Sequence, residues 1–201
     1  MPFSWYGDCG GKRVLGLAAG GGQQMAILSA LGAQCTLLDI SEAQLASDRM
    51  VSEREGYEIQ LIQGDMTDPL PFEDGSFDMV VNPVSNHYVE DVEHVFQEVF
   101  RVLASGGTFL AGLDTGIVWA FDADGGLAHK LPFNPMKDRE LRKELFFENE
   151  AYVFSHTLEE QICGQLRAGF VLVDILEDVD DDDKLGEYNI PTSILTRAVK
   201  R

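Results

Sequence analysis

Positive charge is what this chain has least of. Its 201 residues carry 15 Lys and Arg against 34 Asp and Glu, a formal net charge of -19. A nucleic-acid backbone is repelled at long range by such a surface, so nucleic acid is excluded as an expected partner. Cysteine is also scarce. Cys9, Cys35 and Cys163 are too few and too scattered for a disulfide framework, and no CxxC or HExxH spacing offers a metal site. They read as small buried apolar residues. No apolar run approaches the roughly 18 residues of a membrane span. The opening MPFSWYGDCGG has neither a basic start nor a signal-cleavage pattern. The expectation is a soluble, cytoplasmic protein without a membrane partner. The acidic run Glu177 to Asp183 lacks the spaced ligands and turn glycine of a calcium loop and reads as a solvated loop.

What is present is enough apolar material, 45% of the chain, to bury one core, and 201 residues leave no room for a second full domain. Short runs rich in branched residues alternate with segments of helical period, the pattern of βα units around a mostly parallel sheet. Strands are expected at Arg13 to Ala18, Gln34 to Asp39, Glu58 to Gln63, Phe77 to Asn82 and Gly107 to Leu113. Between the last two, Val92, Val95, Phe96, Val99, Val102 and Leu103 keep the three-and-four spacing of one buried helix face. Ser105, Gly106 and Gly107 follow and predict a left-handed helix end. Residues 114 to 156 mix Gly, Pro and aromatics around one charged helical segment near Asp138 to Phe147, and read as an insertion within a single domain. Thr157 and Glu160 form a capping box ahead of a helix ending near Gly169, and strands follow at Phe170 to Leu176 and Ser193 to Val199.

Three sites carry chemistry. After the first strand comes Ala18-Ala19-Gly20-Gly21-Gly22-Gln23-Gln24, where glycines let backbone approach a ligand and a carboxylate or phosphate could meet free amides at the helix start. Asp39 ends the second strand, 17 positions after Gly22, where a carboxylate can take both hydroxyls of a ribose; an N-cap role is open too, although Ser41 suits it better. Asp65-Met66 follows the third strand, with an acceptor for an adenine amino group and a flexible apolar surface for the ring; Asp65 could equally cap its own loop. All three lie at the carboxyl ends of strands, the edge where open parallel sheets bind ligands, and together they describe a cleft for adenosine.

The ordered run VLGLAAGGGQQ, LLDIS, QGDMTD, PFEDGSFDMVV and VFRVLASGGTFL resembles the class I S-adenosylmethionine-dependent methyltransferases, in particular the small-molecule group often called type 11. The resemblance covers about residues 13 to 113. It implies a doubly wound, Rossmann-like α/β fold with a seven-stranded sheet in the order 3-2-1-4-5-7-6, strand 7 antiparallel, and S-adenosyl-L-methionine as cofactor. It places Gly20 and Gly22 beneath the methionine part, Asp39 on the ribose, Ile40 and Met66 against adenine, Asp65 on the adenine amino group, and Asn82 near the sulfonium. Two departures stand out. Gly16 occupies a position usually acidic in the family and Ala18 one usually glycine, so Gln23 or another residue must replace the missing acid or binding weakens.

For the acceptor, the segment Asn82 to Tyr88 follows the fourth strand and should face the transferred methyl group. His87 is the candidate general base, because imidazole titrates near neutral pH; packing at the start of the next helix is the competing role. His156 is a weaker second. Trp119, Phe121, Phe133, Phe146, Phe147 and Tyr152 in the insertion suit a lid over a small aromatic or apolar acceptor, or else a satellite core or homodimer contact. With about a dozen residues ahead of the first strand, the site is expected to be open or completed by a partner chain. Two other functions fit part of the pattern. Gly20-x-Gly22 with Asp39 also suits a nicotinamide-dependent oxidoreductase, although Met25 stands at its third glycine position and no Tyr-x-x-x-Lys pair occurs. Gly16 and the short N-terminal segment would also fit a methyltransferase-like binding protein without catalysis.

Overall fold

The computed structural model describes residues 1–122, 124–144, 151–180 and 184–201. Seven strands form one sheet: β1 (Arg13–Leu17), β2 (Gln34–Asp39), β3 (Ile59–Gln63), β4 (Phe77–Asn82), β5 (Leu103–Asp114), β6 (Phe170–Asp178) and β7 (Ser193–Lys200). Their order is β3-β2-β1-β4-β5-β7-β6, with β1 to β5 parallel and β7 antiparallel to both of its neighbours. The expected topology is the one observed.

Alternation along the strands sends successive side chains to opposite faces, each of which must be covered. Leu15, Leu17, Val80, Phe109 and Ala111 pack with α3 (Val92–Val102), whose Val95, Phe96, Val99 and Val102 are all buried. Val14, Met79, Val81 and Leu110 face the other way, toward α1 (Gln24–Ala30) and α2 (Glu42–Glu55), with Trp5 in the same cluster. Ser41 is the N-cap of α2, accepting from the Gln44 amide, and Gly56 closes the helix in the left-handed region. Among the described residues no helix is long and apolar enough to cross a membrane, and no group of three or more His, Cys, Asp or Glu could hold a metal ion.

The end of α3 departs from the sequence expectation. Leu103 leaves the helix directly into β5, with φ -75° and ψ 137°, and pairs with Phe77. Gly106, at φ +81°, turns the chain inside the strand rather than at the helix end. A distant residue replaces the glycine cap. The Lys200 ammonium on β7 donates to the carbonyls of Phe100 at 2.6 Å, Leu103 at 2.7 Å and Arg101 at 3.4 Å, serving the orphan acceptors and the negative end of the helix.

The β3–β4 connection, residues 64 to 76, contains no helix. Arg101 of α3 holds it instead, donating to the carbonyls of Leu70 (2.9 Å) and Phe72 (2.7 Å) and to Asp74 (3.0 Å), while Glu98 fixes the guanidinium with two bonds. The capping box is as expected: Thr157 and Glu160 exchange bonds of 2.8 to 3.0 Å. It opens a π-helical turn, Glu159–Cys163, that runs into α5 (Gly164–Ala168) and ends at left-handed Gly169. At the sheet edge, β6 exposes Val173, Ile175 and Leu176, and Asp174 accepts from the Trp5 indole at 3.2 Å. Glu177 and Asp178, expected in a loop, finish this strand, while residues 181–183 of the acidic run lie outside the described residues.

The insertion follows β5 with a 3-10 turn at Ile117–Ala120, an isolated bridge between Phe121 and Leu127, and the short α4 (Arg139–Glu144). Phe133 and Val153 are buried together, with Trp119 and Leu141 packed against them. Two of the aromatics considered for a lid therefore belong to a satellite core. Phe146 and Phe147 lie outside the described residues.

Candidate cofactor and acceptor site

The carboxyl ends of β1, β2, β3 and β4 bring the expected residues to one edge of the sheet. Asp39, the last residue of β2, is buried, and its two oxygens accept from the amides of Gly20 (3.0 Å) and Ser41 (2.9 Å). Gly20 must be glycine for this approach, because a Cβ there would stand 2.8 Å from the Asp39 oxygen and 2.6 Å from Gln44 Cβ. Ile40 follows with 63% of its surface exposed. Across β3, Met66 is buried, and Asp65 accepts from the Thr67 amide (2.8 Å) and hydroxyl (2.7 Å) through one oxygen. The loop-capping role of Asp65 is thus the one visible in its contacts. Asn82 is buried at the end of β4 and donates to the Leu17 carbonyl and the Ser85 hydroxyl, both at 2.7 Å, which locks the β4 loop to the β1 loop. Gln23 is exposed at the start of α1.

Ala18 adopts φ +47°, a left-handed conformation that costs an L-residue roughly 1–2 kcal/mol. The Ala18 amide donates to Leu38 O at 2.8 Å, the last bond from β1 to β2 before the chain enters the glycine turn. The other departure is also accounted for. A Cβ on Gly16 would stand 2.7 Å from Met25 Sδ and 2.8 Å from its Cε. The fully buried Met25 side chain fills the space that a side chain on residue 16 would need.

The amides of the glycine turn itself are engaged within the protein. Gly20 is bound by Asp39, and the amides of Gly21 and Gly22 donate to one oxygen of Asp48, at 2.8 and 3.0 Å. Asp48 sits on α2 with no solvent exposure, and burial pushes its carboxyl above the usual range, with a further push from Asp39, against the pull of the two amides. The three glycine amides, taken by two carboxylates, form no nest for an outside anion. Asp48 escaped notice in the sequence, although it stands on the buried stripe Leu45, Asp48, Val51 and Ser52, where an acid is out of pattern.

On the acceptor side, His87 lies in a short 3-10 turn, Asn86–Tyr88, after β4. Its ring is 4.0 Å from that of Tyr88 and 6.4 Å from that of Trp119 between centroids, and its Nδ1 is buried with no hydrogen-bond partner among the described residues. Burial lowers the imidazole pKa; nearby Asp114 opposes this and His156 adds to it. Asp114 ends β5, and burial raises its pKa against the pull of the Gly116 amide, His87, Trp119 and His156. Both groups are thereby biased toward neutrality. Asp114 also went unrecognised, having been read only as the first residue of the insertion, although it ends a strand as Asp39 does.

Buried amides fix this pair. Asn86 accepts from the Asp114 amide at 2.7 Å and donates to Gln161 at 2.9 Å, and Gln161 donates to the Asp114 carbonyl at 3.0 Å. His156, considered as a second base, bonds through Nε2 to the carbonyls of Val89 (2.8 Å) and Asn86 (3.2 Å), so that nitrogen is engaged in holding the loop. Beyond it, Phe133, Lys137, Leu141, Phe154 and His156 are among the residues lining a cleft of about 620 Å³ under the insertion.

A parallel sheet carrying a glycine turn, a buried acid and an apolar shelf along its carboxyl edge defines an α/β domain built for a nucleoside-bearing cofactor. Comparison with known proteins narrows the class. A methyltransferase-domain family model matches residues 15–111. The uncharacterized methyltransferase YbaJ of Bacillus subtilis is 41% identical over 208 aligned residues, covering 100% of this chain and 81% of that protein. The demethylmenaquinone methyltransferase of Thermus thermophilus is 37% identical over 98 residues, 48% of this chain and 44% of its own length. An S-adenosylmethionine-dependent methyltransferase from Mesorhizobium loti has the same fold, with a TM-score of 0.77 at 24% identity, covering 98% of this chain and 94% of that one. The chain belongs to the class I S-adenosylmethionine-dependent methyltransferases.

Proposed function

We propose that this chain methylates a small-molecule acceptor seated at the ends of β4 and β5, with His87 as general base. The observation that carries the reading is the His87 ring at the end of β4, 4.0 Å from Tyr88 and 6.4 Å from Trp119 between centroids, near Asp114, which Asn86 and Gln161 hold at the end of β5. Burial favours the neutral imidazole of His87, the form that can accept a proton from a phenol or ammonium acceptor, a role worth a factor of about 10² to 10⁴. Flat aromatic walls favour an aromatic or apolar acceptor, the protein's net charge of -19 disfavours a nucleic acid, and one relative is named for demethylmenaquinone.

The residues fit the cofactor. Asp39 would hold the ribose, the exposed Ile40 and the buried Met66 would bracket the adenine, Asp65 would approach its amino group, and the turn from Ala18 through Gly20 to Gly22 and Gln23 would run beneath the methionine part, with Asn82 behind. When bound, S-adenosylmethionine supplies an activated methyl on a sulfonium. The protein's own contribution is to order the turn through Asp39, to keep water from the His87 ring, and to hold the acceptor's nucleophile in line. The described part of the insertion would close the acceptor side. Calorimetry with S-adenosylhomocysteine tests cofactor binding, and no heat at millimolar ligand would refute it. A panel of phenols, quinols and amines, scored by S-adenosylhomocysteine release, tests the acceptor class. Binding without turnover across the panel would favour the non-catalytic reading.

A further inference from the structure

We propose that Asp48 is a positioning residue for the cofactor, holding the Gly21-Gly22 turn in its binding shape from beneath. The inference rests on the assignment of that turn to the cofactor. Three consecutive amides are held by two carboxylates from different elements: Gly20 by Asp39 on β2, and Gly21 and Gly22 by Asp48 on α2. Both Gly21 and Gly22 have positive φ, +114° and +76°, so neither is held by ordinary backbone preference. A Cβ on Gly22 would stand 2.8 Å from Val51 Cγ2, one helical turn from Asp48, so the loop lies directly on the helix.

The energetic logic favours a functional role. A carboxylate with no solvent exposure is costly to bury, and the second oxygen of Asp48 finds no partner among the described residues. An apolar residue at this point of the stripe would pack against Leu45 and Val51 without that penalty. What it would lack is a means to gather two amides of a glycine-rich segment that has the widest conformational freedom in the chain. Ordering the turn in advance spares the ligand that cost on binding. The same two bonds close the amide pair to an outside phosphate.

The test compares wild type, Asp48→Asn and Asp48→Leu in the full chain, with S-adenosylhomocysteine calorimetry, thermal unfolding and amide exchange at Gly21 and Gly22. Asparagine keeps an oxygen acceptor, so its affinity should stay within about threefold of wild type. Leucine keeps the volume and removes the acceptor; affinity should fall at least about tenfold, both amides should lose protection, and the unfolding temperature should hold or rise. Leucine binding within threefold of wild type would overturn the proposal. Should Asp48→Leu fail to fold, exchange in the wild type decides: slow Gly21 and Gly22 amides support the hold, and exchange at the free-peptide rate overturns it. A wild-type chain that does not bind S-adenosylhomocysteine, yet shows slow amides, would instead remove the cofactor assignment and leave the hold itself intact.

Discussion

Gly16 and Met25 are expected to be energetically coupled, with a sign fixed by their geometry. In Gly16→Ala the new methyl would lie 2.7 Å from Met25 Sδ and 3.2 Å from Leu37 Cδ1, both on side chains with no exposure. The thioether can move only by disturbing the packed face between the sheet and α1, so an overpacking cost of about 1–3 kcal/mol is expected. Met25→Ala empties the same space and should cost about 2–5 kcal/mol. In the double variant the added methyl enters room the thioether has vacated, so its own penalty largely disappears. The double variant should therefore be more stable than the sum of the singles predicts by about 1–2 kcal/mol, within the range for residues in contact. Urea unfolding of the four proteins measures this, provided their m-values agree. Additivity to within about 0.5 kcal/mol would refute the claim that Met25 occupies the place of a side chain at residue 16. A coupling of opposite sign would show that the two sites fail together through a wider collapse of that face.

Other expectations are simpler to state. His87 has its pKa lowered by burial, so the neutral base should persist below the free imidazole value of about 6.5, and the acid limb of kcat should have its midpoint under that value; a midpoint above 7 in a pH–rate profile would exclude His87 as the base. Asp39→Ala removes the acceptor for two amides and for the ribose, and should weaken S-adenosylhomocysteine binding by about 10- to 100-fold by calorimetry, at roughly 1.5–3 kcal/mol for a charged hydrogen bond. Arg101→Ala frees the β3–β4 connection from α3 and should cost about 2–3 kcal/mol in urea unfolding, most of it from the Leu70 and Phe72 carbonyls losing their donor; a cost under 0.5 kcal/mol would mean the connection is held by its apolar contacts alone.

The sheet was legible from the chain because its signals are local. Branched runs mark β1, β2 and β4 to within a residue, and the apolar stripe of α3 names its own buried face. The end of α3 was not legible, since its cap is Lys200, about a hundred positions away, and the nearby Gly106 gave a plausible but wrong stop. Within the site, Asp39 could be found by its place at a strand end. Asp114 carries the same strand-end signal, but its burial becomes visible only once the β4 loop is folded beside it; Asp48 carries no such signal, being hidden in a helix whose role depends on what the helix lies against. The Met25 replacement of a side chain at Gly16 likewise exists only in three dimensions.

The outer strand β6 bears on the chain's behaviour in concentrated solution. It runs nine residues along the sheet edge, its outward hydrogen-bonding groups unpaired by any neighbour in the sheet, and shows Val173, Ile175 and Leu176 to solvent, which are the ingredients of edge-to-edge stacking between molecules. Asp174 stands at its midpoint. Two such strands meeting antiparallel about their centres would bring Asp174 against its own copy, and each Asp174 is tethered by the Trp5 indole rather than free to swing away. The edge therefore guards itself against growing into fibres by placing an anchored negative charge where its own image would have to land.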